Sequence, residues 1–143
     1  MNYTTVQTNL PLVKESTDQI VKSPADVSRI CEDMKSLAQE SFHVITINTK
    51  NKMINRHMIT LGIVDCCLAH PREVFRPAIL DGASGIICVH NHPSGDSCPS
   101  CEDIRITKQL IQAGKTLEIK VFDHIIIGKE PLSMRDSGLA DFS

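Results

Sequence analysis

The stretch HNHPSGDSCPSCED, residues 90–103, overlays two metal-binding grammars. One uses His90, His92 and Asp103; the other uses Cys98 and Cys101, with the histidines as company. His90 and His92 stand two apart where the apolar run GIICV ends, so strand geometry sends both imidazoles to one face and Asn91 to the other. Imidazole is the commonest metal-binding side chain. Pro93 cannot continue a central strand, and Ser94-Gly95-Asp96 reads as a turn. Ser100-Cys101-Glu102-Asp103 has the form of a helix start, with Ser100 as cap and Asp103 as the acid three residues on. Capping alone accounts for Ser100 and Asp103, but it leaves the paired histidines without a purpose. A tight loop returning Asp103 to the strand end would gather two nitrogens and a carboxylate around an open fourth position. That is the composition of a catalytic zinc site.

Other readings stay open on the same residues. His90, His92, Cys98 and Cys101 could close a structural zinc site, which would leave Asp103 without a role. Cys98 and Cys101 also have the CxxC spacing of redox pairs, and a thiol at a helix N-terminus ionises more readily. A thioredoxin-type pair, however, follows an early strand and not a His-x-His turn. Two look-alikes drop out. A zinc deaminase needs H-x-E and a Pro before its CxxC, and the residues of an HNH nuclease are dispersed in sequence. Hydrolysis at an open metal also needs a proton acceptor. Glu40, at the junction of a helix and a strand, is the carboxylate best placed to be one.

The elements that must position these residues can be read along the chain. Residues 1–22 are polar, with a weak alternation at Val6, Thr8, Leu10 and Leu12, and form an arm or edge strand ahead of one domain spanning 23–143. Ser23-Pro24-Ala25-Asp26 starts a helix. Val27, Ile30, Cys31, Met34 and Leu37 carry its buried stripe to about Gln39. Phe42–Ile47 and Met53–Ile59 flank the polar turn 48–52 as a hairpin, and Leu61–Val64 reads as a third short strand. Pro71 opens a helix to about Asp81, in which Pro77 predicts a kink or a shortening. Gly85–Val89 is a strand covered on both faces. A helix follows from Ser100 to Ala113, with Gly114 at its left-handed end. Val121–Ile127 is another buried strand, and Leu132–Arg135 a last short one. This order predicts an α/β (α+β) domain with a mixed sheet against helices. His43 and His57 fall on strand faces, His70 precedes Pro71 as a cap, and Asp123-His124 reads as structural.

With 143 residues, 41% hydrophobic and 22% charged, the chain has room for one core, and the composition is that of a soluble globular protein. A formal charge of −2 gives no global attraction to nucleic acid or anionic membrane. No apolar run approaches spanning length, and the start has no signal-peptide pattern. Reduced thiols in a cytoplasm suit Cys31, Cys66 and Cys88 as small core residues.

His90-x-His92, seven residues, Ser100, two more and Asp103 form the JAMM string of JAB/MPN domains. The words HPREVFRPAI, GIICVHNHPSGD, PS-x-ED, DHIIIG and SMRDSG resemble the RadC-like branch from about Pro24 to Leu139. The resemblance implies a curved mixed sheet sandwiched by helices and one Zn²⁺ per chain on His90, His92 and Asp103. It implies that Ser100 steadies the oxyanion and that Glu40, in QESF, is the general acid/base. The implied activity is metallopeptidase-like hydrolysis of peptide or isopeptide amide bonds in a peptide or protein substrate. The second implied reading is a metal-binding interaction module linked to DNA repair or mobile elements, without peptidase activity. Many RadC-like proteins carry an N-terminal helix-hairpin-helix region, and no stretch here is long or Gly-patterned enough to be one. Cys98 and Cys101 occupy positions that the JAMM string leaves free.

Overall fold

A computed structural model describes residues 19–62 and 69–143. Helix α1, Pro24–Ile30, begins as the sequence predicts. The Ser23 hydroxyl accepts from the Asp26 N–H, the Asp26 carboxylate accepts from the Ser23 N–H, and Pro24 occupies the first turn. The helix does not reach Gln39. It stops at Ile30, and a 3-10 helix, Glu32–Ser36, carries the chain on. The cause is tertiary. Arg56, from the second strand, donates to the Ile30 carbonyl at 3.1 Å and grips Asp33 through both terminal nitrogens at 2.8 and 2.7 Å. Val27, Cys31 and Met34 remain buried all the same.

Strands β1, Ser41–Ile47, and β2, Met53–Leu61, form the predicted hairpin. Its turn is closed by Asn48, whose side-chain oxygen accepts from the backbone of Lys50 and Lys52. Leu61 ends β2, and the rest of the expected third strand, Ile63 and Val64, lies outside the described residues, as do 65–68 with Cys66. Of the N-terminal arm, Ile20 pairs with Lys52 in an isolated antiparallel bridge, and residues 1–18 lie outside the described residues.

Helix α2, Pro71–Asp81, keeps its full predicted length despite Pro77. The carbonyl that Pro77 leaves without a donor belongs to exposed Glu73, where solvent can reach it. Strand β3, Gly85–Asn91, helix α3, Cys101–Leu117, and strand β4, Lys120–Ile127, follow, and β5 is limited to Leu132–Ser133. The sheet order is β2-β1-β3-β4-β5, with β3 and β4 parallel and every other pair antiparallel. Its two faces bury separate clusters. Phe42, Val44, Cys88 and Ile126 pack with residues of α2 and α3; Ile45, Val89, Ile125 and Ile127 pack with Val27, Cys31 and Met34. The domain is therefore a mixed α/β sandwich. Burial pushes the Cys88 thiol up to about 12, as suits a core residue with no reactive role.

Gly114 corrects the sequence reading of α3. The helix runs past it to Leu117, and Glu118 takes the left-handed position. A Cβ on residue 114 would lie 2.5 Å from the Ile119 carbonyl oxygen and 3.3 Å from the Phe75 ring. Close approach, and not helix ending, demands glycine there. Gly114→Ala should lower the stability of the domain by about 1–3 kcal/mol through overpacking, read as a lower midpoint in urea with an unchanged slope.

Candidate metal centre

Strand β3 delivers His90 to the face covered by α2 and α3, where Phe42 from β1 lies parallel to its ring at 6.1 Å. His92 lies just past the strand end and stays in register, donating its backbone N–H to the Ile127 carbonyl at 2.9 Å. Residues 93–95 then turn, with the Gly95 N–H returning to the His92 carbonyl. The turn rests on Gly128, where a Cβ would meet the Gly95 carbonyl oxygen at 2.6 Å. Helix α3 brings Asp103 back to the histidines.

The nitrogens and the carboxylate converge. His90 Nε2 and His92 Nε2 are 2.9 Å apart. Asp103 places Oδ1 3.5 Å from His90 Nε2 and Oδ2 3.3 Å from His92 Nε2. Among the described residues, this is the group whose side chains could jointly hold a metal ion. The capping and ligand readings of Asp103 are not alternatives. Its Oδ2 accepts from the Ser100 N–H at 2.8 Å while Ser100 Oγ accepts from the Asp103 N–H at 3.0 Å, and the same carboxylate faces the histidines.

The donor set suits a divalent cation. His92 Nδ1 is 2.8 Å from the Asp96 carbonyl, which can only accept, so the proton of neutral His92 sits on Nδ1 and its Nε2 is a bare lone pair. That lone pair points at His90 and at a nearly buried carboxylate, an arrangement that a shared positive charge stabilises. The Asp103 carboxylate accordingly holds the His92 imidazole above its ordinary pKa; desolvation opposes this, and the Asp96 carbonyl and the Glu40 charge reinforce it. Glu40 comes two residues before Phe42, which is registered opposite His90.

Glu40 sits half-buried just before β1, and an unpredicted clasp fixes its backbone. Asn91, turned to the opposite face from the histidines, accepts from the Ser41 N–H at 2.7 Å and the Ser41 hydroxyl at 3.0 Å. Its amide donates to the Gln39 carbonyl at 3.0 Å. The middle residue of His-x-His thus grips both neighbours of Glu40.

Cys98 and Cys101 are exposed free thiols that do not join the His90–His92–Asp103 group. His70 holds the cap position of α2 but its side chain makes no capping bond, against the sequence reading. His57 pairs with Asp81 at 2.7 Å, and His43 is buried with neither ring nitrogen hydrogen-bonded among the described residues. Sequence reasoning overlooked Thr107 and read His124 only as structural, yet both lie buried beside His90 and Asp103. Thr107 falls four residues after Asp103, on the same helix face. That spacing was the available signal.

The match with known proteins extends from residue 21 to residue 139, to the RadC-like JAB domain. The chain belongs to this family. Similar proteins include the UPF0758 protein of Caldanaerobacter subterraneus subsp. tengcongensis, 48% identical over 124 residues, covering 85% of this chain and 53% of that one. Another is the UPF0758 protein of Halalkalibacterium halodurans, 41% identical over 133 residues, covering 92% and 57%. The RadC-like chain spans about half the length of the curated relatives it matches. Among its described residues, no helix is long and apolar enough to cross a membrane.

Two outcomes follow from this geometry. Zinc content per RadC-like chain, measured under reducing conditions, should collapse in His92→Ala and persist in the double change Cys98→Ser with Cys101→Ser. Asn91→Ala should keep its zinc yet lose about 1–3 kcal/mol in urea denaturation, because it strands the buried Ser41 N–H.

Proposed function

We propose that the domain is a zinc-dependent hydrolase of amide bonds, peptide or isopeptide, in a peptide or protein substrate. The observation that carries this reading is the open, thiolate-free set of two imidazole nitrogens and one carboxylate. Bound by His90, His92 and Asp103, zinc would supply Lewis acidity, polarising the scissile carbonyl and lowering the pKa of a water. The remaining work falls to the chain. Glu40 accepts the proton of the attacking water and returns it to the departing amine. The Ser100 oxygen already accepts from the Asp103 N–H, so its own proton is left to donate to the oxyanion of the tetrahedral intermediate. Asn91 keeps the backbone on either side of Glu40 in place. The net charge gives no support to a nucleic-acid partner.

The test is turnover by the zinc-loaded protein on quenched peptide libraries and on isopeptide-linked substrates. Glu40→Gln should lower kcat by about 10²–10⁴-fold with zinc content unchanged. Stoichiometric zinc without turnover on either substrate class would point instead to a metal-bearing interaction module.

A further inference from the structure

We infer that Thr107 and His124 are positioning residues of the metal centre: a one-way hydrogen-bond chain through them holds His90 in the tautomer whose Nε2 lone pair faces His92 and Asp103. This rests on the reading of His90 as a metal ligand. The chain starts at a group that cannot donate. Thr107 Oγ1 lies 2.7 Å from the Asp103 carbonyl oxygen, and two oxygens so close need a proton between them. A carbonyl has none, so the proton is that of Thr107. Met134 Sδ, 3.5 Å from the same hydroxyl, is the weaker acceptor.

With its proton committed, Thr107 Oγ1 can only accept from His124 Nδ1, 2.5 Å away. Neutral His124 then has a bare Nε2, which lies 2.7 Å from His90 Nδ1 and must accept from it. Neutral His90 carries its single proton on Nδ1. Its Nε2 is left bare toward Asp103 Oδ1, 3.5 Å away, and toward His92 Nε2, 2.9 Å away, a contact in which the two lone pairs need a shared ion or a second proton on His92 between them. Reversing the chain would put a proton on His90 Nε2 and remove it as a ligand. His124 is fully buried and Thr107 nearly so, so no solvent competes for these bonds.

A β-bulge builds the arrangement. Ile86 pairs with Val121 but Ile87 pairs with Asp123, leaving Phe122 as the extra residue. The bulge turns His124, opposite Cys88, to the face of His90 and sends Asp123 to the other side. Gly85 gives the bulge room, since a Cβ there would meet the Phe122 ring at 2.2 Å. Asp123 in turn accepts from the N–H groups of His124 and Arg135 and from the Ser133 hydroxyl, so β4 is held in this alignment from below. Through Thr107 the chain closes on the backbone of Asp103 itself, joining the ligands of β3 and α3.

The experiment has two readouts. Histidine-ring ¹⁵N–¹H NMR of the metal-free wild type should place the proton of both His90 and His124 on Nδ1; a proton on Nε2 of either overturns the inference. Zinc affinity, measured by chelator competition, should fall about 10–100-fold in Thr107→Val, while Thr107→Ser, which keeps the hydroxyl, restores it. A folded Thr107→Val that binds zinc as tightly as wild type overturns the inference and leaves the ligand assignment standing. Absence of zinc binding in the wild type would remove both. Should Thr107→Val not fold, the wild-type tautomers still decide.

Discussion

His90, Asp103 and His124 are taken almost wholly out of water at the end of β3, and an unpaired polar group there would cost several kcal/mol. Much of the surrounding design is the answer to that cost. The Asp103 carboxylate is partnered by the cap of its own helix, His92 by the carbonyl of the turn that follows it, and His90 by His124. The two imidazoles use the ring nitrogen not needed at the centre, while Asp103 Oδ2 both takes the cap bond and faces His92. The result is a set of donor atoms pre-oriented before any ion arrives. Burial, with the neighbouring His90, pushes the His124 pKa well below its ordinary value, against the Asp103 charge.

The sheet ties this centre to the remote Glu40. Phe42 of β1 is registered opposite His90 of β3, so the residue two before Phe42 arrives at the same end of the sheet. Asn91 makes that meeting firm, working on the opposite face from the histidines beside it. One three-residue segment therefore serves both faces. A strand can do this because successive side chains alternate, and a helix could not.

Most of the elements were legible because the chain marks them locally. Ser23 and Ser100 cap the helices they appear to cap, and the apolar run before His90 is a central strand. The misreadings come from contacts that the local pattern does not contain. Arg56 captures the Ile30 carbonyl and ends α1 early, although the apolar stripe continues. Gly114 looks like a helix stop until the Ile119 carbonyl is seen against it. His70 sits at a cap position without making the bond, and Pro77 leaves α2 at full length, the carbonyl it abandons belonging to the exposed Glu73.

At the centre itself, residue type and spacing within a short window determined the ligand candidates: His90 and His92 by period two, Asp103 by its place in a capping box. Those are local properties, set by strand alternation and helix-end geometry, and they survive any tertiary arrangement. Only the folded structure decided that Asp103 could cap and face the histidines at once, that the two cysteines stand outside the group, and that His124 and Thr107 complete it. These relations depend on the β3–β4 register and on the single extra residue at Phe122 that turns one side chain inward and its neighbour away. Pairing register is a property of two strands together, and no local stretch of either one contains it.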